Sequence, residues 1–465
     1  MKPLVESTLW VALLAVLLVV NSIWPIPIPA CVILASAFLV GLLFVSWWQF
    51  DGGRHPCFLF LAMLFVFQGS RLTGSLLGVT RDPMRIVVAT TTPLDVTDAA
   101  ARITLFLIVT SALCIYIPCR LGYRPVHLPS GETSGWLPAL YLVVVFTFPF
   151  ALYKNLMYFL YIRAHGGYLV VYTDNAAVLH SAGPIARAVS ILCAAAILIA
   201  YVIERRRGRV AFLLTLYFGL SGLDLLIGFR GKVFTEILSI WLLHNLKTGH
   251  RFRLAHVAIA ALVINSIAIA VAAYREDSRI KMLSPFAFLA SQGVSMNVTE
   301  AAVEYRDRFA RHGLAYVVDG FITGISPIPS PEEGRLWTDD LTAYLNPVAA
   351  RMGFGTASTY LAELYLLAGV PAVILGSLAV GYSLKFLNGI SGSAPGAIVM
   401  AFVLPSLIYL PRAEFLSPLA TLVKAMVACS IVMAGAFCFR SLLDLLRPGG
   451  TSPGDPSLVT RSTPD

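Results

Sequence analysis

Eight basic residues lie in one polar stretch between residues 275 and 357: Arg275, Arg279, Lys281, Arg306, Arg308, Arg311, Arg335 and Arg351. Guanidinium groups suit one task especially. Their planar fork grips phosphate or carboxylate oxygens through paired, charge-assisted hydrogen bonds, and it stabilises negative charge developing on a leaving group. A second group, Asp224, Arg230 and Lys232, surrounds Gly228-Phe229-Arg230-Gly231. The glycines there allow a tight reversal and bring backbone N–H groups close to a ligand. The same residues also fit an interfacial turn with snorkelling cations. A third group is Tyr360, Glu363 and Tyr365, with Glu363 expected about two turns inside an apolar span. Tyr360 and Glu363 share a helical face. A carboxylate at that depth needs a partner or a water-filled cavity. It would act as a general base on a hydroxyl or hold a neighbouring helix through a hydrogen bond. Arg412 after Pro411, and Arg163 with His165 and Tyr168, complete the set, although interfacial Arg and Tyr are common anchors. His312, Asp319 and His165 are the further candidate bases.

The elements that must position these groups are membrane helices. Hydrophobic residues make up 58% and charged residues 13%, and the mean hydropathy is +0.79, far from a soluble domain. Apolar runs long enough to cross a hydrocarbon core of roughly 30 Å recur near 5–24, 30–49, 57–78, 102–118, 137–161, 183–203, 209–227, 231–246, 254–274, 357–382, 395–411 and 419–440. That predicts an all-α polytopic protein with about twelve spans, and the short seventh and eighth could instead form one broken re-entrant unit. Residues 1–446 read as the membrane domain, and the Pro-, Gly-, Ser- and Thr-rich 447–465 as a disordered cytoplasmic tail. Arg205, Arg206, Arg207 and Arg209 crowd one short loop; Lys247, Arg251 and Arg253 crowd another. Arg54, Arg120 with Arg124, Lys385 and the Arg440–Arg447 end fall on the same side. By the positive-inside rule that side is cytoplasmic, with both termini, and 79–101, 162–183 and 275–357 face out. A basic loop on the outer side calls for an anionic substrate.

Other chemistries leave no mark. The cysteines lie in or beside spans, with no CxxC and no Cys/His cluster at metal-ligand spacing, and so read as packing residues. No metal and no cofactor is expected. Phosphate-loop and dinucleotide fingerprints are absent, which argues against an ATP-driven pump. Lys2 and the apolar run after it read as an uncleaved anchor rather than a signal peptide.

Four segments carry a resemblance: Gly167-Tyr168 after the fifth span, Gly228-Phe229-Arg230-Gly231, Gly355 through Ala362-Glu363-Leu364-Tyr365 to Ala368-Gly369, and Arg412 after Pro411. In this order, around a large outer loop, they resemble the oligosaccharide repeat-unit polymerases of bacterial envelopes, the O-antigen polymerase or Wzy type. The likeness covers about residues 150–420. It implies a GT-C-like membrane fold in the inner membrane and a metal-independent, inverting glycosyl transfer at the periplasmic face. Donor and acceptor would be undecaprenyl-pyrophosphate-linked oligosaccharides, with membrane lipid around them; a chain-length regulator and a flippase would be partners, and nucleic acid would not. Glu363, Arg230 and Arg351 would be catalytic. Arg163, Tyr168, Asp224, Lys232, Arg275, Arg279, Tyr360, Tyr365 and Arg412 would bind substrate. One departure is that the Arg-x10-Gly spacing of some such polymerases occurs only at Arg120–Gly131 and Arg124–Gly135, in a loop expected to be cytoplasmic. An O-antigen ligase and a polyprenyl-linked glycan exporter are the alternatives. An exporter should show inverted repeats and midplane charges, and neither is evident in the sequence.

The topology has a direct test. A cysteine placed near Glu332 should react with an impermeant reagent from the periplasm, and one near Arg207 should not; the reverse pattern would overturn the assignment.

Overall fold

A computed structural model describes residues 26–79, 83–86, 94–128, 135–165, 167, 170–227, 230–250, 263, 266–267, 269–270, 285–326, 336–352, 355–356 and 358–445. The main elements are α1 (Ile28–Gln49), α2 (Pro56–Leu76), α3 (Asp98–Arg120), α4 (Leu137–Ala164), α5 (Gly183–Ile203), α6 (Arg207–Ile227), α7 (Arg230–Thr248), α8 (Pro285–Gln292), α9 (Val294–Glu304), α10 (Gly313–Ile325), α11 (Trp337–Leu345), α12 (Tyr360–Ile390), α13 (Ala394–Arg412) and α14 (Ser417–Leu445). Two two-residue strands, Arg85–Ile86 and Leu94–Asp95, pair antiparallel between α2 and α3. Local sequence sets several helix starts. Proline occupies the first turn of α1, α2, α4, α5 and α13, where its missing N–H costs nothing. Thr97 caps α3 by accepting from the Ala100 N–H, and Ser393 caps α13 by accepting from Gly396 N–H.

Among the described residues, nine helices are long and apolar enough to cross a membrane, and each matches an expected span. The chain is an all-α polytopic membrane protein. The expected spans at 5–24 and 254–274 lie outside the described residues, apart from isolated positions in the second. The expected eighth span is the helix α7, but it falls below the apolar threshold because Arg230, Lys232, Glu236 and Lys247 interrupt it. α2 and α3 are the most buried spans and form the centre of the bundle; α1, α4, α6 and α14 show most of their surface outward.

The tenth expected span differs from its sequence reading. α12 is broken at Ala368 (φ −153°, ψ 28°) and Gly369 (φ 70°, ψ −150°), and the chain doubles back there. Leu364 packs directly against Gly376, and the Tyr360 and Ser377 hydroxyls both bond to Ser111. Along one continuous helix residues 360 and 377 would be about 25 Å apart. The segment 360–367 is therefore a separate arm that rises from the middle of the bundle to a tip at 368–369. The remaining 370–390 then descends to the far face. Gly369 supplies the positive φ that a side chain would oppose.

The described parts of the stretch 275–357, residues 285–326 and 336–352, form a folded cap. Every residue from Ser295 to Val303 is buried. Arg71 of α2 donates to Asn297 Oδ1 at 2.6 Å, and Asn297 donates to Glu300 Oε2 at 2.6 Å, which pins α9 to a span. α10 crosses α12 and α14 on a face of small residues. A Cβ added at Gly313 would lie 2.5 Å from the Leu366 carbonyl oxygen, and one at Gly324 would lie 2.8 Å from Ala420 Cβ. Such close helix approach is how packing holds where lipid offers no hydrophobic gain.

At the other end, α3 and α12 meet at Gly381, where a Cβ would lie 2.7 Å from Ile115 O and 3.1 Å from Cys114 O. Backbone cannot yield as a side-chain tip does, so Gly381→Ala should cost about 1–3 kcal/mol. Gly389→Ala meets nothing within 4 Å. Melting of the two variants in detergent should show a clear drop for Gly381→Ala alone.

Candidate functional site

Glu363 sits on the arm, 1% exposed. The Ser358 hydroxyl donates to its Oε1 at 3.3 Å, and the Phe415 backbone N–H donates to its Oε2 at 2.7 Å. Both oxygens therefore accept a hydrogen bond. Glu414 stands beside it. A Cβ at Gly320 of α10 would lie 3.2 Å from Glu414 Cγ and 3.9 Å from Glu363 Oε1, so that glycine opens the space in which the two acids meet. Burial pushes the Glu414 carboxyl above the usual carboxylate range, and Asp339 nearby adds to the rise.

Gln68 joins the parts of this centre. It lies in a π-helical turn, Phe65–Gly69, inside α2, and is wholly buried; such turns recur at functional sites. Its amide donates to Thr359 Oγ1 at 3.1 Å and to the Pro411 carbonyl at 3.0 Å, while its Oε1 accepts from Thr299 at 3.3 Å. Thr359 opens the arm carrying Glu363, Pro411 precedes Arg412, and Thr299 belongs to the cap. Arg412 lies over the Phe67 ring at 5.4 Å, and Phe67 packs edge-on against Tyr409 at 5.6 Å. Tyr409 in turn presses on α7, where a Cβ at Gly231 would be 2.6 Å from its hydroxyl oxygen. The start of α7 thus packs against the segment that leads to Arg412; the Arg230 side chain lies outside the described residues.

A profile for the O-antigen polysaccharide polymerase Wzy matches residues 7–441. The chain belongs to that family. No curated protein and no solved structure matches it. A Wzy-family polymerase assembles O-antigen repeat units, so the acids and cations gathered around Gln68 are placed in a glycosyltransferase-like enzyme.

Other residues singled out in this Wzy chain fall in several places. Asp224 forms its ion pairs with Lys232 at 3.1 Å and Lys154 at 3.9 Å, and Lys232 also meets Glu236 at 3.7 Å. That cluster joins α4, α6 and α7. Tyr360 turns away from Glu363, into the core against Ser111 and edge-on to Phe60. Tyr365 lies under the Arg306 guanidinium at 5.5 Å. Arg163 is exposed at the end of α4, and Arg351 is exposed with its Nε donating to Pro347 O at 3.3 Å. His165 stacks on Tyr161, Asp319 is half-buried on α10, and His312 lies beside Tyr316. Tyr168, Arg275 and Arg279 lie outside the described residues.

Gln68, Glu414, Lys154 and Glu236 were missed. A buried polar group in an apolar span is the signal that Gln68 and Lys154 offered, whereas Glu414 lies two residues beyond Arg412. The fold also brings together what spacing kept apart: the ligand atoms of His55, Cys57 and Cys119 lie within 4.8 Å of one another. His55 Nδ1 accepts from the Cys57 N–H, the Cys119 thiol donates to Gly381 O, and burial pushes the His55 imidazole down to about 3. Those bonds make the trio a helix cap and packing contact.

Replacing Gln68 by Leu keeps the volume and removes the amide, leaving Thr359 and Pro411 without their buried donor. The loss should be about 1–3 kcal/mol. Bacteria relying on the variant should show shortened or absent polymer ladders, read on a gel beside protein levels; an unchanged ladder would relieve Gln68 of a positioning role.

Proposed function

We propose that the protein polymerises lipid-linked oligosaccharide repeat units at the periplasmic face of a bacterial inner membrane, with both termini in the cytoplasm. The growing glycan on its undecaprenyl pyrophosphate would be the donor, and the terminal sugar of a second lipid-linked unit the acceptor. Membership of the Wzy family supports the substrate kind. The buried Glu363 carboxyl, held by the Phe415 N–H three residues after Arg412, is the observation that carries the reading.

In this reading Glu363 takes the proton of the acceptor hydroxyl. That oxygen attacks the anomeric carbon from the side opposite the leaving group, and the sugar–phosphate C–O bond breaks. The carrier pyrophosphate departs with the electron pair, and the configuration inverts. Arg412 and Arg230 would receive the developing charge, because a guanidinium fork matches phosphate oxygens. Glu363, protonated by the attack, returns that proton to water once the product has left; Glu414, held toward its protonated form, adds no second negative charge beside it. Arg351 and the cap cations would steer the anionic donor.

The decisive experiment uses purified protein, given only a lipid-linked repeat unit. A ladder of lengths is expected. Transfer that occurs only after lipid A–core is added would identify a ligase instead, and no glycan chemistry would favour export. Glu363→Gln keeps the shape and removes the base, so it should bind donor but lose on the order of 10²–10⁴ in rate. A Gln variant that polymerises normally would leave Glu363 as a hydrogen-bonding strut.

A further inference from the structure

A cavity of about 300 Å³ opens in the cap, lined by Arg308, Arg311, His312, Tyr316, Asp340 and Tyr344 together with Phe309 and Ala343. Its walls are rings and charges held in place by one another. The Arg308 guanidinium lies 4.1 Å from the centre of the Tyr344 ring. Phe309 meets Tyr344 edge-on at 6.0 Å and Trp337 at 5.7 Å. The Tyr316 hydroxyl donates to Asp340 Oδ2 at 2.7 Å. None of these residues belongs to the centre around Glu363, yet the two are linked. Tyr316 lies one turn before Gly320, the glycine that abuts Glu414 and Glu363, and His312 lies about 12 Å away along α10.

We propose that this cavity is a subsite for an acidic sugar, a pyranose bearing a carboxylate, within the oligosaccharide. Its size is that of a small-ligand pocket, with aromatic walls and a few converging polar groups. Two guanidiniums and an imidazole stand against one carboxylate. The excess is therefore positive, and Arg forks pair with a carboxylate in two parallel bonds. The Tyr316 hydroxyl oxygen, whose proton goes to Asp340, can accept from a ring hydroxyl. Position separates this site from one for the carrier pyrophosphate. Gly313 rests on Leu366 and Leu367 at the tip of the hairpin, so Arg308 to His312 stand beside that tip, while Glu363 lies deeper on the arm. A glycan whose reacting end is at Glu363 would reach the cavity with a sugar removed from the reaction, and the anion there would belong to the sugar. The inference rests on the polymerase reading for the ligand's identity, but its test requires no polymerisation.

Saturation-transfer NMR on the full chain in detergent, with methyl β-glucuronoside and methyl β-glucoside as probes, reads the preference directly. The glucuronoside signal should exceed the glucoside signal several-fold. In the Arg308→Gln/Arg311→Gln double variant it should fall to the glucoside level; both side chains are exposed, so melting should not change. Equal signals for the two probes would overturn the proposal, as would a glucuronoside signal undiminished in the double variant. Displacement of the glucuronoside by inorganic pyrophosphate at equal concentration would reassign the cavity to the carrier's phosphates. A protein that binds the glucuronoside through these arginines yet yields no ladder would fail the polymerase reading alone.

Discussion

A primary amide buried in a bundle of apolar helices must find every partner inside the protein, because lipid offers none. Gln68 finds three, and they lie on three separate segments: the arm that bears Glu363, the turn that bears Arg412, and the cap. Each bond satisfies a group whose burial alone would be costly, so the three segments are held to one arrangement by the need to keep the amide satisfied. The π-helical turn around Gln68 follows from the same constraint, since the added residue in the turn re-aims the side chain. Position at the centre is therefore set from α2, a span with no charged group facing the substrate in the proposed reaction.

Around that clamp the charges sort into two neighbourhoods. Glu363, Glu414 and Arg412 gather where α12 and α13 present their ends. Lys154, Asp224, Lys232 and Glu236 form a mutually neutralised cluster between α4, α6 and α7. Ionisable groups within apolar helices persist when paired in this way. The contact between Gly231 and Tyr409 is the bridge, so displacement of one neighbourhood would be felt in the other.

The span pattern was legible because hydropathy over about 18 residues is a strong signal, and eight expected spans recur as helices within a few residues of their limits. The reversal at Ala368–Gly369 was not. One glycine in an apolar run costs a helix little and is common in membrane spans, and only the contacts of Leu364 and Tyr360 reveal that the chain turns. The folded character of the cap was hidden too, because its basic residues dominate composition while the apolar face of α9 supplies the packing. Tyr360 shows the limit of shared-face reasoning: an offset of three residues puts two side chains on one side of a helix, but neighbours decide where each one points.

The arm from Tyr360 to the tip has a consequence of its own. Its length works as a ruler. A residue added between Thr359, which Gln68 holds, and Glu363 would turn the carboxylate by roughly 100° about the helix axis and shift it by about 1.5 Å. It would then face away from the Phe415 N–H that now holds it. Many substitutions there could preserve apolar character, yet no change in length could preserve the geometry. The surrounding cap can grow or shrink at its surface, whereas this short segment must keep its number of residues.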